Sequence, residues 1–538
     1  MKKIKENKKV IIFLILIILV QVFFKIYLDY NKEDFFIDEL YSYGLMNYKQ
    51  AFIFEEENFR ENWHNKEYFD DYLTVSRDEA LVFSPVYYNQ EEDYHPPFYY
   101  LLLRIATSFT IGYFTKWSGL ILNILIFIGS AIMVFLIGKR LFKSDKYALL
   151  LIFIYGFSKF SSENTLFIRM YQLLELQMLF LVYWYLKNYQ KEKLGIKDLI
   201  IFGFLIVLGT LTQYYYIIFL IGVLIIALAR YIRKKQIKNI LKIISVFILA
   251  QIVIYMIFPK YIDQLAGNSD RSSSGNISIS EKIEKSIYRE KQYFKIIEDS
   301  MFHLKISYLL VGMLIVGGIL LIIKLIQNKK AKITLKSSTD IISIIVPTLF
   351  YWYIVSTTSP YIDLRYMLPL FFFILIVIFY LLQKEIEMII KNRKHVFILT
   401  TVIGVFYATS FWYKPHYRYQ YIGNKEIIET IKEYKDIPCI YLYTHFDVLE
   451  NDFVQNINYV RQFENVYIMD KTNFSVNKLR KILEGKDMSQ GIIIYDKEKE
   501  IGDKIYRIIR DMDEFTNYKK IVELKSERII FDEIYLIY

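Results

Sequence analysis

Cysteine is almost absent from this sequence, since Cys439 is the only one among 538 residues. No intramolecular disulfide and no cysteine-based metal site can form, so the chain is not a disulfide-stapled extracellular domain. Histidine is also scarce, with six residues and no close pair of metal ligands. A dedicated zinc site therefore has little support, and a divalent metal stays open as a cofactor.

Two signals of common soluble folds are missing as well. No predicted strand is followed by a glycine-rich phosphate loop, which leaves a nucleotide-binding role without support, and no repeat of solenoid period is found. The formal net charge of +11 does not indicate nucleic acid as a partner. The basic residues cluster in short connections between apolar runs, such as 139–146, 187–197 and 230–242, and cytoplasmic retention of positive loops predicts this pattern.

What the sequence has instead is a series of long apolar runs. Hydrophobic residues make up 54% and aromatic residues 18% of the chain, which is more apolar surface than one soluble domain buries. Runs of roughly 17 to 22 residues recur from Val10 to Tyr413, long enough to cross a hydrocarbon core of about 30 Å as helices. Because the runs are continuous rather than alternating, they predict a polytopic α-helical membrane protein.

About eleven membrane-spanning helices are predicted when the basic connections are assigned to the cytoplasm. The first run follows a basic tail, but it is too long for a secretory signal and lacks a small-residue cleavage site, so we interpret it as a retained span. The N-terminus is then cytoplasmic, and the protein is a multi-pass protein of the cell membrane. The predicted spans are 10–28, 117–138, 147–162, 171–186, 198–213, 214–229, 243–258, 306–325, 340–357, 366–383 and 396–413.

This topology divides the chain into a transmembrane domain, residues 1–413, and an extracytoplasmic tail, residues 414–538. The transmembrane domain includes a first outer loop at 29–116 with juxtamembrane helices and a flexible outer loop at 259–305. The apolar segment 95–112 is expected along the outer interface, because counting it as a span would place every later basic loop outside. The tail alternates short helical and strand-like units such as IPCIYLYT and NVYIMD, which predict a small α/β domain.

Polar side chains at the outer ends of spans are the first candidates for function, since such groups are costly near lipid unless they act or snorkel. Asp38 and Glu39 form an acidic pair beyond the first span. One carboxylate there could deprotonate an acceptor hydroxyl, and a solvated acidic pair is the alternative. His95 precedes two prolines at the start of a helix, which predicts either an anion site or a plain loop-to-helix junction.

Two further clusters contain arginine, whose planar guanidinium suits phosphate. Arg169 and Tyr171 stand at the outer mouth of one predicted span, where interfacial snorkelling is the alternative. Arg365 and Tyr366 stand at another, where an ion pair between Asp363 and Arg365 is the alternative.

Gln213 lies in a tight outer turn, where it could add hydrogen bonds and where polar residues are expected anyway. The predicted topology places all these residues on the same outer face. A base for an acceptor and cations for a phosphate leaving group suit the transfer of a group from an anionic lipid carrier.

Five elements taken in order resemble the GT-C membrane glycosyltransferases. They are the acidic pair after the first span, HPPFYYLLL, SSENTLFIRMYQLL, LGTLTQYYYI and SPYIDLRYMLP, and together they extend over roughly residues 10–413. The chain is similar to the dolichyl-phosphate-mannose protein mannosyltransferases and to the aminoarabinose transferase of lipid A. Residues 414–538 carry no such resemblance.

The resemblance implies an inverting transfer of a sugar from a polyprenyl-phosphate donor to an extracytoplasmic acceptor, which is a cell-wall polymer, a glycolipid or a protein. It makes Asp38 the general base, with Glu39 as its partner. The donor phosphate would meet Arg169, Arg365 or His95, and Tyr171 and Tyr366 belong to the matching Arg-Met-Tyr and Arg-Tyr elements that would bind the substrate. Many relatives have histidine at the position of Gln213, so a titratable or metal-binding role there does not carry over.

Three alternatives remain at this stage. A flippase or transporter of lipid-linked saccharides would favour ionisable residues within spans. A polymerase or ligase of such saccharides also acts on the outer face, and only the motif order argues against it. In a non-catalytic receptor, residues 414–538 would bind the partner.

Overall fold

The computed structural model describes residues 2–49, 52–266, 279–302, 312, 335–412, 415–443, 449–497, 508, 510–512, 514–525 and 531–538. The chain divides into two compact units. The first comprises Met1–Tyr30, Tyr94–Tyr99 and Leu120–Arg418, and the second comprises Asn31–Asp93, Tyr100–Gly119 and Tyr419–Tyr538.

The first unit is helical. Long apolar runs form helices because a helix satisfies its own backbone hydrogen bonds where water is excluded. Its helices are α1 (Lys2–Tyr30), α6 (Lys116–Phe142, which begins in the second unit), α7 (Asp145–Phe157), α8 (Lys159–Leu166), α9 (Tyr171–Asn188), α10 (Ile196–Thr212), α11 (Tyr215–Arg233), α12 (Ile237–Ile257), α13 (Tyr261–Ala266), α14 (Ile279–Met301), α15 (Leu335–Thr358), α16 (Phe371–Ile389) and α17 (Arg393–Ser410).

Within the described ranges, six helices are long and apolar enough to cross a membrane: Lys8–Tyr30, Lys116–Phe142, Tyr215–Arg233, Ile237–Ile257, Asp340–Thr358 and Leu364–Ile389. These helices confirm the polytopic helical fold, while the count of about eleven stays a prediction. The predicted span 306–325 lies outside the described residues, apart from Gly312. The predicted span 147–162 is two helices, because Ser158 is extended and its hydroxyl accepts a hydrogen bond from the Ser161 amide at the start of α8.

The segment 95–112 does not contain a helix long enough to span a bilayer. Its helix α5, Phe98–Thr107, has 10 residues and is therefore only about 15 Å long. Arg104, expected at an interface, is instead fully buried in the second unit. Its guanidinium donates to the carbonyl oxygens of Met46, Asn47, Glu79 and Val82 at 2.8–3.2 Å, so Arg104 holds the surrounding loops in place.

A mixed six-stranded sheet forms the centre of the second unit, in the order β1-β3-β2-β4-β6-β5. Its strands are β1 (Trp63–Asn65), β2 (Cys439–Tyr443), β3 (Asn465–Asp470), β4 (Ile492–Lys497), β5 (Tyr518–Lys525) and β6 (Phe531–Ile537). Strands β3, β2 and β4 are parallel, and β1, β6 and β5 add antiparallel edges. The small sheet domain expected near the C-terminus is therefore present.

The sequence pattern does not predict strand β1 of this sheet. This strand comes from residues 29–116, the segment predicted to be the first outer loop, and pairs antiparallel with β3, with Trp63 opposite Tyr467. Three residues of mixed polarity give no alternating pattern to detect. The other helices of the unit are α2 (Ile37–Asn47), α3 (Lys66–Leu73), α4 (Ser84–Glu92), α18 (Asn424–Glu433), α19 (Leu449–Val460) and α20 (Val476–Leu483).

Candidate functional site

Arg169 and His95 form a hydrogen-bonded pair in the first unit. The Arg169 Nη2 atom lies 3.1 Å from His95 Nε2. Because a guanidinium only donates hydrogen bonds, His95 Nε2 is the acceptor in this pair. Arg169 is 3% exposed, while His95 is partly exposed. The two residues predicted separately as anion-binding are therefore brought together.

A buried asparagine links the two chain segments that carry this pair. Asn123 of α6 donates to the carbonyl oxygens of Thr165 and Phe167 at 3.0 and 2.8 Å, just before Arg169. Its side-chain oxygen accepts from the Tyr99 hydroxyl at 3.2 Å, just after His95. The hydrogen bonds of Asn123 thus fix both ends of the pair relative to one helix.

The second arginine cluster is organised by Asp363. Its carboxylate accepts from the Arg365 amide at 3.1 Å, which caps a short 3-10 turn over Leu364–Tyr366. The guanidinium that forms an ion pair with this carboxylate belongs to Arg418, at 3.3 Å. Arg365 Nη2 donates to the Tyr366 hydroxyl at 3.1 Å. The predicted alternative of an Asp363–Arg365 ion pair is thus replaced by one with Arg418.

Tyrosine rings join the two arginine clusters. The Tyr366 ring meets Tyr171 edge-to-face, with centroids 6.3 Å apart, and meets Tyr215 in the same way at 5.6 Å. The structure therefore groups five of the predicted residues. They are His95, Arg169, Tyr171, Arg365 and Tyr366.

Gln213 has a local role in the structure. It ends α10 with an extended backbone, and its side-chain oxygen accepts from the Tyr214 amide at 2.7 Å. These contacts fit the expectation of a polar turn residue. Tyr215, two positions later in the same motif, is the residue that reaches Tyr366.

Two charged residues of this neighbourhood were not singled out from the sequence. Arg418 lies just beyond the last predicted span, where no pattern ties it to Asp363. Glu163 is buried on α8, where its Oε1 accepts from the Arg418 amide at 3.3 Å and lies 3.7 Å from Lys159 Nζ. Burial raises the pKa of Glu163 above its usual range, although Lys159 and Arg418 act in the opposite direction. In the sequence, Glu163 could have been identified as the acidic residue of the SSENTL element.

Asp38 and Glu39 lie in the second unit, on the first turn of α2, and their environments differ. Glu39 is fully buried, and its Oε2 lies 3.0 Å from Lys32 Nζ and accepts from the Phe36 amide at 2.6 Å. Asp38 is only partly buried. Glu39 thus forms an ion pair with Lys32 and also caps the first turn of α2. Asp38 is the more accessible of the two carboxylates.

No group of three or more His, Cys, Asp or Glu side chains suitable for a metal ion occurs in the part of the chain that the structure describes. The fold and these residues define a class. It is a polytopic helical membrane protein with a buried cluster of arginine, histidine and tyrosine in one unit and an accessible carboxylate on a helix of the other.

Comparison with known proteins agrees with that class. Residues 94–258 match the family described as dolichyl-phosphate-mannose-protein mannosyltransferase. The match begins one residue before His95 and includes Arg169 and Gln213, and it confirms the resemblance to the GT-C membrane glycosyltransferases.

Two solved structures are similar over most of the chain. ArnT from Cupriavidus metallidurans bound to undecaprenyl phosphate is 11% identical, with 97% of each chain covered and a TM-score of 0.47. The oligosaccharyltransferase AglB from Archaeoglobus fulgidus, in complex with an inhibitory peptide and a dolichol-phosphate, is 10% identical, with 91% of this chain and 70% of that chain covered and a TM-score of 0.45. No curated protein matches the sequence.

Proposed function

We propose that this protein is an inverting glycosyltransferase that moves a sugar from a polyprenyl-phosphate donor to an extracytoplasmic acceptor. The observation that carries the proposal is the hydrogen-bonded pair of Arg169 and His95, connected through Tyr171 and Tyr366 to Arg365. The family match over residues 94–258 supports the reaction class, because the family uses lipid-phosphate-linked sugars.

The charges of this cluster suit a phosphate. Arg169 and Arg365 are each buried to at least 95%, and a guanidinium group presents planar paired donors that suit a phosphate. When the bond between the sugar and the phosphate oxygen breaks, negative charge develops on the phosphate. Guanidinium groups held in place beforehand stabilise that charge.

Asp38 is the proposed general base. It takes the proton from the acceptor hydroxyl as that oxygen bonds to the anomeric carbon, while the lipid phosphate departs from the opposite side and the configuration inverts. The buried Lys32–Glu39 pair supports the choice of Asp38 over its neighbour, since Glu39 already serves an ion pair and a helix turn. Glu39 then acts by holding α2 in place.

The test is transfer of radiolabelled sugar from a panel of polyprenyl-phosphate sugars to a cell-envelope extract, with purified protein in proteoliposomes. Asp38→Asn should lower transfer by about 100-fold or more, as expected when a general base is lost. Asp78→Asn, at an exposed aspartate of the same unit, is the matched control. Equal transfer by Asp38→Asn and wild type at matched protein levels would remove the catalytic assignment, and the labelled product identifies the acceptor.

One observation favours a second candidate, a flippase of the lipid-linked sugar. Lys25 and Asp29 are fully buried on a helix able to span the membrane, and Glu175 is fully buried on α9. Ionisable residues within spans often mark transport pathways. Intact lipid-linked sugar that appears on the opposite leaflet of the proteoliposomes, with no transfer to any acceptor, would select this function instead.

A further inference from the structure

A compact polar cluster lies inside the first unit, one helical turn beyond Tyr171. It is formed by Ser130 of α6, Tyr155 of α7, Asn164 of α8, and Gln172 and Glu175 of α9, and all five side chains are fully buried. Four different helices thus direct polar groups to one interior place. Polar groups in the interior of a membrane bundle are costly unless a partner satisfies them.

Two hydrogen bonds of this cluster end on one carboxylate oxygen of Glu175. Asn164 Nδ2 donates to Glu175 Oε2 at 2.8 Å, and Gln172 Nε2 donates to the same atom at 3.2 Å and to Ser130 Oγ at 3.3 Å. The Tyr155 hydroxyl lies against Ser130, Gln172 and Glu175. Both amide groups are thus within hydrogen-bond distance of the Glu175 carboxylate through their nitrogens.

The cluster contains several buried acceptor oxygens, and the hydroxyls of Tyr155 and Ser130 can each donate one hydrogen bond. Glu175 Oε1, Asn164 Oδ1, Gln172 Oε1 and the Tyr155 hydroxyl oxygen are buried and receive no hydrogen bond from any described residue. Rotating either amide by 180° would turn its oxygen toward the carboxylate and lose a donor. A cation placed among these oxygens would satisfy several of them at once.

The nearby cation does not fill this need. Lys25 of α1 donates to the hydroxyls of Ser161 and Ser162 at 3.2 and 2.9 Å. Asp29, one turn along the same helix, is also buried and supplies a charge opposite to that of Lys25. Glu175 is a further buried carboxylate, on α9.

We propose that Glu175, Asn164 and Gln172, with the Tyr155 and Ser130 hydroxyls, bind a monovalent alkali cation. One carboxylate matches one positive charge, and amide and hydroxyl oxygens complete an oxygen shell. Divalent ions suit the site less, since Ca²⁺ and Mg²⁺ are bound by more carboxylates or retain water, and zinc prefers nitrogen and sulfur. The cation joins α8 to the first turns of α9, so it braces the helix that begins at Tyr171. This last consequence for the phosphate site rests on the proposed function, while cation binding itself does not.

The experiment is equilibrium binding of ²²Na⁺ to the full-length protein in lipid nanodiscs, with N-methyl-D-glucamine chloride keeping the ionic strength constant. The wild type should show one saturable site from which unlabelled Na⁺ or K⁺ displaces the tracer. Glu175→Gln should weaken binding by about 10-fold or more, as expected when the only charged ligand is lost. Glu163→Gln, at a second buried glutamate next to Asn164, should leave binding unchanged.

A measurement on the wild type keeps the proposal testable if Glu175→Gln does not fold. Its thermal midpoint should rise with NaCl relative to N-methyl-D-glucamine chloride, because a ligand bound only by the folded state stabilises it. Absence of saturable Na⁺ and K⁺ binding, with a midpoint that depends on pH alone, would show that a proton occupies Glu175 and overturn the proposal. Sugar transfer is not a readout here, so the result stands whether or not Asp38 is the base.

Discussion

Buried charges in the two units have different partners. In the second unit, Lys471 and Asp496 form an ion pair at 2.7 Å, and Lys32 and Glu39 form one at 3.0 Å, with all four side chains at most 3% exposed. In the first unit, Arg169 donates to His95, and Arg365 donates to the Tyr366 hydroxyl. These two ion pairs of the second unit join opposite charges within the fold, whereas the proposed role of Arg169 and Arg365 is to stabilise a bound phosphate.

This difference separates stability from function. Removing one member of a buried ion pair leaves an uncompensated charge and destabilises the fold. Removing a cation that is arranged for a ligand should weaken the ligand interaction, with little loss of stability. Substitutions in the two units should therefore affect different measurements.

The largest effect is expected at Arg169. Arg169→Met should lower sugar transfer by about 100- to 1,000-fold, the usual cost of removing a group that stabilises transition-state charge. Arg169→Lys should recover only part of the loss, because an ammonium cannot bind phosphate through paired planar donors. Transfer and thermal midpoint are measured on the same preparations. A large drop in midpoint with proportionate loss of transfer would show that Arg169 is structural and would break the comparison.

In the second unit, Lys471→Met should act on stability. It leaves Asp496 buried without its partner, at a cost of about 3–5 kcal/mol. Cys439, the only cysteine and fully buried on β2, reports opening of the sheet through its rate of maleimide labelling in the full chain. Labelling should speed up by at least about 100-fold. The double variant Lys471→Met with Asp496→Leu should label more slowly than Lys471→Met, since no charge is left unpaired.

A smaller effect is expected at Asn123, which we interpret as a positioning residue for His95 and Arg169. Asn123→Leu should raise the KM for the lipid donor by about 10-fold, with less change in kcat, because it removes the bonds to Thr165, Phe167 and Tyr99 without touching the ligand. Tyr99→Phe removes one of these bonds and should show a weaker form of the same change. A loss confined to thermal stability would contradict the positioning role.

Much of the fold follows from patterns within the sequence. Helices α9, α10 and α17 lie where continuous apolar runs predict them, and the strand-like units of the tail form β2, β3 and β4. Periodicity detects elements that are long or bury one face. It misses β1, whose three residues become a strand only by pairing with a segment about 400 positions away.

The site was predictable only in part. His95, Arg169 and Arg365 carry their own signal as polar residues at span ends, but their pairing depends on tertiary contacts. The ion pair of Asp363 with Arg418 joins residues from distant parts of the sequence, so no local pattern could show it. Asn123 and Glu175 did have a signal, since each is a polar residue inside a long apolar run, where its burial has to be satisfied.

The smallest effects are those of pH on two glutamates. Desolvation alone would raise the pKa of Glu61 in the second unit, but hydrogen bonds from Lys478, Asn473 and the Asp470 amide outweigh it, so the pKa lies below the usual value. The stabilisation that the charged Glu61 carboxylate provides is fully present above the pKa that this group has in the unfolded chain. It is lost as the pH falls through the pKa of Glu61 in the folded state. For Glu163 of the first unit, burial raises the pKa, so the pH dependence of stability has the opposite sign. The folded state is destabilised as the pH rises, because a buried carboxylate must then become charged.

Thermal midpoints of Glu61→Gln and Glu163→Gln against pH test these opposite signs. Glu61→Gln should be less stable than wild type near pH 7, by less than about 1 kcal/mol because the side chain is partly exposed to solvent, and the gap should close below about pH 4. The thermal midpoint of Glu163→Gln should rise relative to that of the wild type as the pH rises. The outcome that would contradict this prediction is a difference in midpoint between variant and wild type that changes in the same direction with pH for both substitutions. The carboxylates of the two units would then respond to proton loss in the same way, and the comparison of the two units would not include them.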